Sequence, residues 1–442
     1  METTIFIVIV SLFGLYMAWN IGANDVANSM ADAVGSKAVT IKQAVILAGI
    51  CEFAGAVLVG SHVTDTVRKG IVDPSAIASI PGMMPGDAAA IMVIGMVAAL
   101  LSAAFWLHFS SATGMPVSTT HSIVGAVAGF GIVAAGWSSV NWGKMAQIVS
   151  SWFISPLAGG IMGYIFFIFI SKAILGRDRP VLAAKFYVPF IVFVVSGIVT
   201  LSTIYKGLKH VIKGVDWMTG DVAILIALMI SVFFAIISML WVRRKLDGKD
   251  DLLLAKQLEL VEETFTPIVI ITSCTVAFAH GANDVANAIG PLAAVVHIIQ
   301  NGTIEMKVGV PLWILCLGGG GIVFGLGTYG HKVMKTVGTK ITEITPSRGV
   351  AADIAATATV LVCTMMKLPV STTHTLVGAI LGIGFARGLS GVNRAVTKKI
   401  FGSWFVTVPA AAIVSILLFL IGRYFFFDYV RQLIINNQVI IG

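Results

Sequence analysis

Charge is what this chain most lacks. Asp, Glu, Lys and Arg make up 11% of its 442 residues, less than half of the roughly 25% found in soluble globular domains. With 57% hydrophobic residues and a mean hydropathy of +0.95, that scarcity excludes a water-soluble class and predicts an all-α polytopic membrane protein whose first partner is the lipid bilayer. Cysteine is scarce too. Cys51, Cys274, Cys316 and Cys363 all lie in apolar stretches, and their spacing suits neither a disulfide framework nor a zinc site, so they read as small apolar filler. No basic region opens the chain at Met1–Ile5, so no cleavable signal peptide stands out. The formal net charge of +8 reads as lysines and arginines in cytoplasmic loops, not as a nucleic-acid surface.

About twelve apolar segments are present, near 4–20, 41–60, 88–107, 113–135, 147–171, 186–204, 221–241, 266–296, 311–330, 350–366, 369–386 and 401–423. Several are Gly-rich or shorter than the ~20 residues of a straight span, as broken or re-entrant helices are. With the N-terminus outside and each segment crossing once, 19 of the 29 basic residues fall in inside loops, which places the charged stretch Arg243–Glu263 in the cytoplasm. That stretch reads as a solvated, helix-bearing linker.

What the chain has in excess is repetition. Gly22–Asn28 reads GANDVAN, and so does Gly281–Asn287. Pro116–His121 reads PVSTTH, and so does Pro369–His374. The pairs occur in the same order at offsets of 259 and 253 residues, so the chain is an internal duplication. An odd number of segments separates the two heptads, so the halves are expected to run in opposite directions and face each other at the midplane, where secondary transporters hold their cargo. The expected division is a first repeat at 1–205, a connecting region with the charged linker at 206–263, and a second repeat at 264–442.

The hexad places a proline where a helix starts, followed by three hydroxyls beside the free N–H groups of the first turn. This makes an anion cup of neutral donors at the positive end of a helix dipole. No lysine or arginine lies in either copy. In the heptads, Asp25 and Asp284 sit in apolar sequence with no basic neighbour. An unpaired charge at the bilayer centre costs at least ~2.5–3.5 kcal/mol, so a bound Na⁺ or a proton is the expected partner. Asn24, Asn28, Asn283 and Asn287 offer amide oxygens as hard-cation ligands. Gly22 and Gly281 permit an unwound backbone whose carbonyls add to the set.

The paired GANDVAN and PVSTTH motifs resemble the inorganic phosphate transporter family, and the likeness runs from Trp19 to about Trp404. It implies that Ser118, Thr119, Thr120, Ser371, Thr372 and Thr373 hold phosphate, that Asn24, Asp25, Asn283 and Asp284 bind phosphate or the coupling cations, and that uptake is driven by a Na⁺ or H⁺ gradient. Glu52 in CEFAGA and the stretch Thr64–Gly70 are also family-like. Asp353 stands where family members usually carry a membrane acid, often Glu, so Glu52 and Asp353 become candidate coupling acids, with interhelical hydrogen bonding as the structural alternative. The resemblance also suggests a homodimer.

Other features read more plainly. His121 and His374 are expected either to respond to pH or to bond a backbone carbonyl. His280 breaks the symmetry, since the first copy has Ile21 in its place, and is only a weak hint of a one-sided role. Arg68 is expected to be a solvated loop residue. Trp152 and Trp404 in their SWF contexts read as interfacial anchors. Gly318–Gly321 lacks the ending of a phosphate loop and reads as close helix packing.

The expectation is therefore a cell-membrane secondary transporter with Na⁺ as coupling ion and no organic cofactor, phosphate and sodium being its small-molecule partners. A proton-coupled carrier of phosphate or of a metal–phosphate complex is the alternative. An enzyme would not need its hydroxyl–histidine set in both halves, and a channel would need no paired half-sites.

Overall fold

A computed structural model describes residues 2–60, 71–80, 82–204, 220–304, 309–366 and 370–441. Thr64–Gly70, with Arg68, and Pro369 lie outside the described residues. Helix α1 (Glu2–Ile21) continues through one π-helical turn, Gly22–Val26, and is followed by the short α2 (Ala31–Gly35). Then come α3 (Ile41–Val59), α4 (Pro85–Ala112), α5 (Thr119–Ala135), α6 (Trp142–Ile170) and α7 (Pro180–Ser202). The chain proceeds through α8 (Gly220–Leu246), α9 (Leu254–Asn301), α10 (Leu312–Tyr329), α11 (Pro346–Met365), α12 (Thr372–Ala386) and α13 (Arg394–Ile441). Among the described residues, 9 helices are long and apolar enough to cross a membrane. Each of the twelve expected segments corresponds to a helix: the two hexad helices α5 and α12 are shorter apolar ones, and α11 is 20 residues long but less apolar. The protein is a multi-pass, all-helical membrane protein.

Local sequence explains several boundaries. Thr40 caps α3, with Gln43 reaching back to the Thr40 N–H, a capping box. Pro85 opens α4 and Pro180 opens α7, where the missing N–H is no loss. The charged stretch around Arg243–Glu263 is the end of α8 and the start of α9, joined by a short turn and tied by the 3.1 Å Lys245–Glu263 ion pair. Residue 264 lies within the 48-residue α9.

Helix packing is reciprocal between the halves. A Cβ added at Gly22 would run into the backbone carbonyl of Ile322 on α10, and one at Gly281 into that of Glu52 on α3. Gly125 of α5 meets the Val408 backbone of α13, and Gly378 of α12 meets that of Pro156 on α6. Matching glycines thus pack against matching helices of the opposite half, a reciprocity consistent with an inverted repeat. These contacts also correct the reading of the heptad glycines. The backbone is not unwound at Gly281, which lies inside continuous α9, and it widens by only one π turn at Gly22. The missing side chain serves backbone approach between crossing helices, a packing use that needs no break in the helix. Gly318 and Gly321 instead make room for side chains, those of Ile289 and Ala18.

Candidate functional site

Both hexads lead into a helix, but the proline does not open it: α5 starts at Thr119, three residues after Pro116, and α12 starts at Thr372. Ser118 caps α5 by accepting from the His121 N–H, and Ser371 caps α12 by accepting from the His374 N–H, each at 3.3 Å. The two first turns meet: the rings of His121 and His374 lie 4.9 Å apart, edge to face. Two positive helix ends therefore converge on one buried region.

Asp25 joins the halves. Its Oδ2 accepts from Thr119 Oγ1 of the first hexad at 2.8 Å, and its Oδ1 accepts a short bond from Thr373 Oγ1 of the second. The heptad asparagines cross over in the same sense. Asn287 donates to Thr119 Oγ1 at 3.1 Å and to Thr120 Oγ1 at 3.2 Å, while Asn28 reaches Thr373 Oγ1 at 3.5 Å. The Oδ1 of Asn28 is buried and has no partner among the described residues, which leaves an amide oxygen available to a ligand.

His280 stands at the centre. Its Nε2 lies 2.7 Å from Asp284 Oδ2 and 3.6 Å from Asp25 Oδ2, and its Nδ1 lies 3.1 Å from Glu52 Oε1. All four side chains are buried. The expectation that the aspartates have no basic partner was wrong. His280 precedes Asp284 by one helical turn, the (i, i+4) spacing at which side chains on a helix meet, so the signal was legible in the second heptad's flank. Both ring nitrogens face carboxylates, which a doubly protonated imidazole satisfies on both sides. Ligand atoms of Asp25, His280 and Asp284 all lie within 4.8 Å of one another, close enough to hold a metal ion together. A small cavity of about 50 Å³ adjoins this centre, lined among others by Asp25, Asn28, His280, Thr372, Thr373, Ser202 and Thr357.

The remaining residues divide. Asn24 is spent on structure: it accepts from the Val117 N–H and donates to Ser111 Oγ and the Met115 carbonyl, each at 3.0 Å, fixing the loop ahead of α5. Asn283 donates to the neighbouring Asp284 Oδ1 at 2.9 Å. Asp353 is not in the central cluster; its Oδ2 accepts from Thr272 at 2.5 Å and Ser273 at 2.9 Å. Trp404 is not an interfacial anchor. It is 2% exposed, stacks on His374 at 3.7 Å, and donates its indole N–H to the Pro116 carbonyl of the other half. Among the described residues His374 bonds no backbone carbonyl and its ring nitrogens have no hydrogen-bond partner; the ring is held by stacking instead. Asp32, buried beside α11, was missed altogether.

Two inward-facing hydroxyl-bearing helix ends, carboxylates shared between halves and a duplicated helical membrane fold define a transporter, not an enzyme. The sequence profile described as the phosphate transporter family matches residues 21–415. The chain is 47% identical over 413 residues to a Thermococcus kodakarensis relative named as a phosphate permease, covering 93% of this chain and 97% of that one. It is 40% identical over 434 residues to Inorganic phosphate transporter 2-1, chloroplastic, of Arabidopsis thaliana, covering 92% of this chain and 70% of the relative. A solved structure titled "The sodium-dependent phosphate transporter" superposes with a TM-score of 0.82 at 39% identity, covering 96% of this chain and 100% of that chain. The chain belongs to the phosphate transporter family.

Proposed function

We propose that the protein is a Na⁺-coupled symporter of inorganic phosphate, working by alternating access between its two repeats. The observation that carries this reading is the bonding of one carboxylate, Asp25, by hydroxyls from both hexads. It brings the two anion cups and the acidic heptads into a single site. In this reading Thr119, Thr120, Thr372 and Thr373 present hydroxyls to phosphate at the two helix ends, while Ser118 and Ser371 hold those ends in shape. Asp25, Asp284, Asn28 and Asn287 supply oxygens to Na⁺, Asn283 positions Asp284, and Asn24 holds the loop ahead of α5.

The electrostatics require cations. Asp25, Glu52 and Asp284 surround a single imidazole, so the cluster stays net negative even with His280 protonated. Two like charges about 5 Å apart repel by roughly 3 kcal/mol at an effective dielectric near 20. An incoming phosphate mono- or dianion meets that field unless Na⁺ enters first. Cation and anion affinities are then linked, each raising the other by the same factor.

Phosphate uptake into proteoliposomes under an inward Na⁺ gradient, an inward H⁺ gradient or neither tests this. Uptake driven by Na⁺ supports symport with sodium. Proton coupling is the second reading, and His280 specifically favours it, because an imidazole between three carboxylates can carry the coupling proton. Uptake driven by H⁺ alone would replace the first reading with this one. Absence of phosphate uptake under every gradient would refute both.

A further inference from the structure

We propose that Trp404 of α13 is a positioning residue for the anion: it clasps the two hexads together and fixes the spacing of their hydroxyls. Its indole lies flat on the His374 ring of the second hexad, centroids 3.7 Å apart at 17°, and its N–H donates to the Pro116 carbonyl of the first at 2.9 Å. The side chain is buried. Pro116 precedes Thr119 by three residues, and His374 directly follows Thr373. Each contact is therefore made beside a hydroxyl that would face phosphate. His374 in turn meets His121 edge to face at 4.9 Å, and His121 lies 5.7 Å from Trp152 of α6. Trp152 is the repeat mate of Trp404, at an offset of 252 residues. One histidine from each hexad thus sits in a continuous chain of ring contacts between two tryptophans.

Asp25 also ties the hexads, but through the hydroxyls of Thr119 and Thr373, the groups that phosphate would recruit. The Trp404 link uses a backbone carbonyl and a ring face, which the ions do not need. Its anchor is rigid, because Asn24 holds the Met115 carbonyl and the Val117 N–H on either side of Pro116. A second tie crosses the halves at the cap of α12, where Ser155 Oγ of α6 accepts from the Ser371 N–H at 3.3 Å. Such ties matter because two helix N-termini are both positive ends and repel each other. If they drift apart in the empty protein, the anion must gather them, and its apparent affinity falls with the fraction of molecules already assembled. Tryptophan suits the task since it combines a broad stacking face with one N–H donor. Phenylalanine would stack without donating. This inference rests on the proposed reading of the hexads as the phosphate site.

The test is initial-rate uptake of radiolabelled phosphate by the full-length protein in proteoliposomes, with phosphate varied at a saturating level of the driving cation. Wild type, Trp404→Phe and Trp106→Phe are compared. Trp404→Phe keeps a ring on His374 and deletes the bond to Pro116. Trp106→Phe is the control for stability: Trp106 of α4 donates to Thr407 Oγ1 at 3.0 Å, so the variant loses a comparable bond to α13 at a residue outside both hexads. Trp404→Phe should raise the phosphate KM by roughly threefold to tenfold. The half-saturating concentration of the driving cation, taken at saturating phosphate, should stay at the wild-type value. Trp106→Phe should lower the melting temperature to a similar degree and leave the phosphate KM unchanged. An unchanged KM in Trp404→Phe, or an equal rise in both variants, overturns the clasp and leaves Trp404 a structural residue. Wild type without phosphate uptake is a different failure: it overturns the reading of the hexads, and the clasp with it. Should Trp404→Phe not fold, benzothienylalanine placed at position 404, which has the shape of tryptophan with sulfur in place of the N–H, deletes the donor alone and is judged by the same KM ratio.

Discussion

Asp25→Asn is the substitution that bears most directly on the proposed coupling. It keeps the shape of the side chain. One oxygen still accepts from Thr119 or Thr373, and the other hydroxyl can turn to accept from the new amide, so the helix ends stay joined. What changes is charge. A carboxylate about 4 Å from Na⁺ attracts it by roughly 4 kcal/mol at an effective dielectric near 20. Asp25, His280 and Asp284 have ligand atoms within 4.8 Å of one another, so a cation between the aspartates feels both. Losing one removes close to half of that attraction. At about 1.4 kcal/mol per factor of ten, the Na⁺ concentration for half-maximal uptake should rise by at least tenfold and by up to roughly a thousandfold. The upper figure is a ceiling, because water entering the cavity screens the pair. The assay is initial-rate uptake of radiolabelled phosphate at fixed phosphate and varied Na⁺, with choline as replacement. By reciprocity, phosphate KM at low Na⁺ should rise too, and should recover when Na⁺ is raised. A variant with the wild-type Na⁺ curve and only a lower maximal rate would refute the assignment of Asp25 to the cation.

Three further outcomes follow from the packing and the hydroxyls. Thr119→Val and Thr373→Val each delete a hydroxyl bond to Asp25 at constant volume; bonds to charged groups are worth about 1.5–3 kcal/mol, so each should weaken Na⁺-dependent uptake by roughly tenfold or more, whereas Ser118→Ala and Ser371→Ala remove caps worth about 1 kcal/mol and should show mainly as lower melting temperatures. Gly22→Ala and Gly281→Ala press a Cβ into opposing backbone, and overpacking of about 1–3 kcal/mol or more should cut the yield of folded protein, while Gly320→Ala, which meets nothing within 4 Å, should express normally. Trp404→Phe keeps the stack on His374 but loses the 2.9 Å bond to Pro116, and a melting curve should record a loss of about 1 kcal/mol.

The architecture was legible because hydropathy and repetition are both written along the chain. Each apolar segment became a helix, and the doubled motifs marked the two helix ends that meet. Ser118 and Ser371, expected to hold phosphate, cap α5 and α12 instead of standing free, as Ser commonly does at an N-cap. Other features were hidden by ambiguity. A glycine in a membrane helix signals either an unwound backbone or a close crossing, and Gly281 proved to be the second because its contact, the Glu52 backbone, belongs to the other half. Trp404 looked like a residue at a membrane surface, and only the fold reveals Pro116 and His374 beside it. Asp32 lies beside Gly349 of the other repeat, a neighbourhood that could not be read from spacing. His280 is the opposite case: its (i, i+4) relation to Asp284 is local and legible in the sequence, although the first copy carries Ile21 in its place.

The departures from symmetry have a common physical character. His280 stands opposite Ile21 at the heptad offset of 259, and Asp32 stands opposite Pro291 at the same offset. Both are buried and ionisable, and each has an apolar counterpart. Had the full set been duplicated, twice as many ionisable groups would crowd one midplane, at a cost of about 2.5–3.5 kcal/mol for each unpaired charge. The duplicated parts are neutral or lightly charged: hydroxyls, amides, helix ends and a single aspartate per half. They suit a tetrahedral anion, which can be approached from both sides by the same donors. The one-sided His280 does something else: it places one imidazole among Asp25, Glu52 and Asp284, so the charge of the duplicated aspartates is partly balanced without a second copy of the base. In the proposed symport the duplicated set would thus hold both phosphate and Na⁺, and a single unduplicated base would limit the net charge that has to be buried.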